Sequence, residues 1–145
     1  MEFRKSRPIY LQIADMVCEQ VVSGKLGADD RVPSVRDLGA SMGVNPNTVM
    51  RTMEYLQREE IVYSRRGMGF FVSDGASQRV HDLQRRRFLD EELPLFVRQM
   101  RTLGLSWAEV EKAGETVVTD LEAQEVDHES QVPSTHKPAA TELQP

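Results

Sequence analysis

At 145 residues, the chain is long enough for one core plus a smaller appendage, and its single cysteine, Cys18, excludes an internal disulfide. The net charge of −5 looks wrong for a nucleic-acid binder, yet it is unevenly spread. Residues 1–75 carry ten Lys/Arg and ten Asp/Glu, residues 76–103 carry six and four, and residues 104–145 carry two and nine. The acidity therefore belongs to the last third, and the first half can still present a basic face. No apolar run approaches the length of a membrane span and no signal-type segment opens the chain, so a cytoplasmic protein without membrane contact is expected.

The opening, with Arg4, Lys5 and Arg7, reads as a solvated terminus or as an arm reaching phosphate. After Pro8, the residues Ile9, Ile13, Met16, Val17 and Val21 recur at helical spacing and predict an amphipathic helix that stops at Gly24. Cys18 falls inside it and is expected to be a buried, inert thiol. A polar connection from Lys25 to Pro33 follows.

Ser34 with Asp37 three residues later makes a capping-box-like start, and Val35, Leu38 and Met42 give the next helix its apolar stripe. Gly43 permits a tight turn because it takes positive φ without a Cβ penalty. Asn45 suits an N-cap and Pro46 the first helical position, which opens a second helix to about Arg58. Two short helices joined in this way describe a helix-turn-helix, whose second helix enters the DNA major groove. In that helix Val49, Met53 and Leu56 form the expected buried face, and Thr48, Arg51, Thr52 and Tyr55 the expected opposite face, with Arg58 one turn on.

Ile61–Ser64 and Phe70–Ser73 are short apolar runs around Arg65-Arg66-Gly67-Met68-Gly69 and read as a β-hairpin. The fold class is thus α+β, mainly α: a winged helix-turn-helix over residues 1–75. Residues 76–123 read as a small helical region in which Pro94 must kink or break a helix. Ser106 with Glu109 forms a capping box for a last helix to about Ala123. From Gln124 to Pro145 the composition turns acidic and polar, which predicts a disordered tail.

Four segments, in order across residues 8–72, resemble the GntR family of bacterial transcriptional regulators, and within it the YtrA-like subfamily. They are Pro8-Ile9-Tyr10-Leu11-Gln12-Ile13, Arg31-Val32-Pro33-Ser34-Val35-Arg36-Asp37-Leu38, Gly43-Val44-Asn45-Pro46-Asn47-Thr48-Val49 with Arg51, and Arg66-Gly67-Met68-Gly69-Phe70-Phe71-Val72. The resemblance implies a homodimer on a two-fold operator, often beside transporter genes, and a DNA contact for Arg36. Two positions depart from the family pattern. Glu60 stands where a glycine is common at the end of the recognition helix, and Met50 where an arginine is frequent.

The candidate DNA-binding residues are Arg36, Asn45, Asn47, Thr48, Arg51, Tyr55, Arg65, Arg66 and Gly67. Side chains at the start of the recognition helix reach base edges, and wing arginines suit phosphate or a narrow minor groove. Local roles compete at several of them: Asn45 caps a helix, and Gly67 and Gly69 serve the turn. Phe88, Leu89, Leu93, Phe96, Met100 and Trp107 are too many apolar groups for two lone helices and are expected to form a two-fold dimer surface.

An enzyme is not expected. His81, His128 and His136 are scattered, no metal-ligand spacing occurs, no nucleophile sits beside a base, and no cofactor motif is present. A winged helix can also serve RNA or protein contacts; the polar helix face and basic wing favour duplex DNA. The segment after residue 75 is too short for a large effector pocket, and no residue set singles out a small-molecule effector.

Overall fold

A computed structural model describes residues 7–130, with side-chain surroundings through residue 126. The elements run α1 (Ile9–Val22), α2 (Val35–Met42), α3 (Pro46–Arg58), β1 (Val62–Arg65), β2 (Gly69–Val72), α4 (Ala76–Arg87), a π-helical turn (Phe88–Glu92), α5 (Leu93–Thr102) and α6 (Trp107–Ser130). The described residues form two compact units, divided after Pro94.

The core of the first unit joins Ile13, Val17 and Val21 of α1 to Val49, Met53 and Leu56 of α3, with Leu38, Ile61, Val62, Val72 and Val80 around them. Burying these side chains stabilises each by roughly 1.5–3 kcal/mol relative to exposure. Gln12 is also buried, which its amide tolerates by donating to Arg7 O at 2.8 Å. Cys18 lies in the same core, and burial, reinforced by the Asp15 charge, pushes its thiol up to about 12. The folded protein is therefore expected to resist a thiol reagent such as DTNB at pH 8 and to react fully once denatured. Fast labelling of the native chain would contradict that burial.

Helix α4, which lies beyond the boundary expected near residue 75, packs on the core of the first unit. Ala76 and Val80 are buried there. Arg79 donates to Asp74 O at 2.7 Å and Glu60 O at 3.1 Å, Arg86 pairs with Glu59 at 2.7 Å, and Arg87 pairs with Asp15 at 2.8 Å. These contacts tie α4 to α1 and to the end of α3. Arg4 and Lys5 of the expected N-terminal arm lie outside the described residues, and Arg7 is engaged internally, 3.1 Å from Asp15.

The hairpin pairs Val62 with Val72 and Arg65 with Gly69, antiparallel and one residue offset from the expected strands. Its turn closes with Met68 N–H donating to Arg65 O at 2.9 Å, and Gly67 supplies the positive φ of 75°. The connection expected to be merely polar also joins the wing. Val32 N–H donates to Phe70 O and Val72 N–H to Asp30 O, each at 2.9 Å, and Arg31 bridges Phe71.

Glu60 takes the left-handed conformation, φ 58°, that its departure from glycine made costly. Arg79 holds its carbonyl in place. Glu60→Gly is expected to raise stability by roughly 1 kcal/mol, the usual penalty of that region for a residue with a Cβ. A denaturant midpoint no higher than wild type would refute this.

Pro94 does not break the chain. The backbone stays helical through Phe88 and Leu93, and a π-turn precedes the proline, with Leu93 N–H reaching back to Phe88 O. The wider turn relieves the clash that a proline ring makes with the preceding turn.

In the second unit, α6 begins at a reciprocal cap. Glu109 Oε2 accepts from Ser106 N–H at 2.8 Å and from its hydroxyl at 2.9 Å, and Glu109 N–H donates to Ser106 Oγ at 3.3 Å. The backbone bond, then the hydroxyl bond, hold the Glu109 carboxyl below its usual value. The helix continues to Ser130, past the expected end at Ala123, because Glu and Gln in that stretch are good helix formers. The rest of the expected tail, 131–145, lies outside the described residues.

Candidate nucleic-acid interface

The helix-turn-helix is set by local chemistry. Ser34 Oγ accepts from Asp37 N–H at 3.0 Å to start α2, and Gly43, at φ 65°, ends it. Asn45 Oδ1 accepts from Asn47 N–H at 2.9 Å, with Pro46 behind it in the first turn of α3. Asn45 thus holds the helix start, while Asn47 and its side chain remain exposed.

The buried face of α3 contains the expected Val49, Met53 and Leu56, but the expected opposite face differs. Val49, Thr52, Met53 and Leu56 are buried, while Thr48 and Tyr55 are half-buried. Thr52 is tolerated inside because its hydroxyl donates to Tyr10 O at 2.8 Å and Thr48 O at 3.3 Å. Tyr55 packs edge-on against Tyr10, ring centroids 6.2 Å apart, and burial, then the Glu59 charge, raise its pKa. Tyr55 thus lies half-buried on the side of α3 that faces α1. The exposed row is Asn47, Met50, Arg51, Glu54, Gln57 and Arg58. Sequence patterning missed Met50 and Glu54, since a threonine faces inward and a methionine outward.

Arg51 keeps its place on the exposed face with a support the sequence did not announce. Its guanidinium carbon lies 4.2 Å from the centre of the Tyr10 ring on α1. Arg36 on α2 is exposed, and its side chain forms no ion pair or hydrogen bond among the described residues.

The wing carries its arginines differently. Arg65 lies over Phe71 at 4.8 Å and Tyr63 at 5.6 Å, and donates to Tyr63 Oη at 3.2 Å. Tyr63 and Phe71 stack at 5.8 Å. Tyr63 in turn donates to Asp29 Oδ1 at 2.6 Å, and this bond to a carboxylate raises the phenol's pKa. Arg65 is thus fixed on the wing's own aromatics, whereas Arg66 at the turn is exposed and unpaired among the described residues. Arg31 adds a third guanidinium, with its Nε 3.6 Å from where a Cβ on Gly69 would sit. Its only sequence signal was the resemblance segment around it.

The expected dimer residues divide between the units. Phe88 and Leu89 are exposed and Leu93 half-buried in the first; Phe96 and Trp107 are exposed in the second, Trp107 at 59%. Met100 is buried and so offers no open surface. Instead the second unit exposes Leu95, Leu103, Leu105, Val117, Val118 and Leu121. A groove of about 560 Å³ there is lined by Phe96, Leu105, Val110 and Val117 among others. No helix among the described residues is long and apolar enough to cross a membrane.

The family model for bacterial regulatory proteins of the gntR family matches residues 9–72. The transcriptional regulator YhcF of Bacillus subtilis (strain 168) is 40% identical over 109 residues, 75% of this chain and 88% of that protein. The transcriptional repressor YtrA of the same organism is 40% identical over 73 residues, half of this chain and 56% of its own. Among solved structures, a GntR-family transcriptional regulator from Bacteroides thetaiotaomicron superposes with a TM-score of 0.66 at 44% identity, covering 78% of this chain and 98% of its own. With motif, winged fold and near full-length relatives in agreement, the chain belongs to the GntR family of bacterial regulatory proteins.

Proposed function

We propose that this chain is a homodimeric transcriptional repressor that occupies a two-fold operator and blocks transcription from it. The observation that carries the reading is the exposed row on α3, in which Asn47 and Arg51 offer hydrogen-bond groups to base edges. Arg36, Arg66 and Arg31 supply cations without internal carboxylate partners among the described residues, suited to phosphate. Asn45 and Thr48 shape the helix start, Arg65 is a preset wing contact, and Gly67 gives the wing its turn. Repression is supported by the relative YtrA, which is named a repressor. Resemblance to that subfamily also favours transporter genes as targets. An operator-binding protein works where the chromosome lies, hence in the cytoplasm.

Dimerisation is ascribed to the apolar surface of the second unit around Phe96 and Trp107, with the groove on α5 and α6, and Phe88 and Leu89 of the first unit are proposed as a separate contact. One self-complementary patch closes a two-fold pair. Phe96→Asp with Val117→Asp in the full chain places charges in that groove without disturbing a packed core. Sedimentation is expected to show at least about a hundredfold weaker self-association, since two buried charges cost several kcal/mol. A dimer as tight as wild type would remove this surface from the proposal.

The function itself is tested by a gel shift with DNA upstream of the protein's own gene at stated salt, because phosphate contacts weaken steeply as salt rises. A specific shift competed only by the same sequence is expected. Equal binding to any duplex, or preference for RNA, would reject the operator reading.

A further inference from the structure

We infer that Met50 reads a thymine, by apolar contact of its side chain with the C5-methyl group in the major groove. The inference rests on the operator reading above and adds a base identity to it. Met50 is 41% exposed and lies within the outward row of α3, one turn after Asn47 and one turn before Glu54. Its neighbours in that row, Asn47, Arg51, Glu54, Gln57 and Arg58, all carry hydrogen-bonding or charged ends. Met50 has only carbon and a weakly accepting sulfur.

On the major-groove edges of the four bases, the feature that an apolar side chain can recognise is the thymine methyl. Methionine is unbranched and flexible, so it can follow such a methyl without a fixed rotamer. The setting also singles it out. Met53 and Met100 are buried, Met16 and Met42 pack against the core, and within α2 and α3 Met50 is the large apolar side chain left exposed. It belongs neither to the buried core nor to the half-buried side chains packed against it.

The test uses the full-length protein and its footprinted operator, with each thymine replaced singly by deoxyuridine. This substitution removes one methyl and leaves base pairing unchanged. For wild type, one position in each half-site is expected to lose about three- to tenfold in affinity, and the remaining thymines nothing, in line with a buried methyl-sized contact. Met50→Ala should lose a similar factor on the unmodified operator and be indifferent to deoxyuridine at that position. Met50→Leu should keep the sensitivity. Replacing the same thymine by cytosine and then by 5-methylcytosine should restore part of the loss for wild type and nothing for Met50→Ala.

The inference is overturned if wild type ignores every deoxyuridine, or if Met50→Ala retains the same sensitivity at the same position. Melting curves for both variants, expected to match wild type because the site is exposed, exclude a folding cause. Failure of the parent reading looks different: no footprint forms, Arg51→Ala changes nothing on any duplex, and the thymine assignment falls with it.

Discussion

Arg51→Ala is expected to weaken operator binding by about 5- to 150-fold, the loss of a base-reading arginine worth roughly 1–3 kcal/mol. The side chain is exposed at the surface of α3 and already oriented by the Tyr10 ring, 4.2 Å below its guanidinium. A stacked arginine loses less rotamer freedom when it meets a guanine edge, so the contact is stronger than for an unsupported side chain. Tyr10 also accepts the Thr52 hydroxyl at its carbonyl and packs against Tyr55, which ties α1 to α3 at adjacent points.

Competition gel shifts distinguish the roles available to Arg51. A base reader loses affinity for the operator and relaxes specificity at one position, with little change on unrelated DNA. A phosphate contact loses affinity uniformly and lowers the salt slope by about 1. Tyr10→Phe should behave nearly as wild type because the ring remains, whereas Tyr10→Leu should lose part of the Arg51 effect. If Tyr10→Leu is neutral in binding and stability, the aromatic support has no role.

Gly39→Val is expected to destabilise the protein by about 2–4 kcal/mol, since overpacking and a displaced turn act together. Gly39 is buried in α2, its carbonyl accepts from Val44 N–H at 2.9 Å, and a Cβ built on it would stand 2.8 Å from Val44 O and 3.6 Å from Pro46 Cγ. Two of those neighbours are backbone or ring atoms at the turn that launches α3, so they cannot rotate out of the way. Valine adds a further branch and a stiffer χ1 in a helix. A fall in melting temperature of about 10 °C, with loss of operator binding from misplacing α3, is the expected reading. Unchanged melting would show that the turn has slack the close approach does not suggest.

Local chemistry made much of this protein readable from its residues. Ser34, Gly43, Asn45 and Pro46 bracket the two helices because a cap or a turn is satisfied by atoms within a few residues. The Ser106–Glu109 box and the Gly67 turn are of the same kind. The left-handed backbone at Glu60 was signalled by a side chain standing where glycine is common.

What depended on partners far along the chain was not readable. Thr52 is tolerated in the interior because Tyr10, 42 residues earlier, offers it a carbonyl, and on the same side Tyr55 packs against the Tyr10 ring while Met50 stays exposed. Hydropathy alone turns Thr52 and Tyr55 outward and leaves Met50 on neither face. The Asp30–Val32 segment joins the wing through backbone hydrogen bonds to Phe70 and Val72, which polar composition conceals. Helix α4 joins the first unit through Arg79, Arg86 and Arg87, residues whose charge alone suggests solvent. The sequence by itself determined where the helices, turns and wing lie, since those depend on neighbours in the chain. The tertiary structure decided how α3 divides between packed and outward residues, since α1 packed against it offers Thr52 a carbonyl beyond the one in its own helix and gives Arg51 a ring.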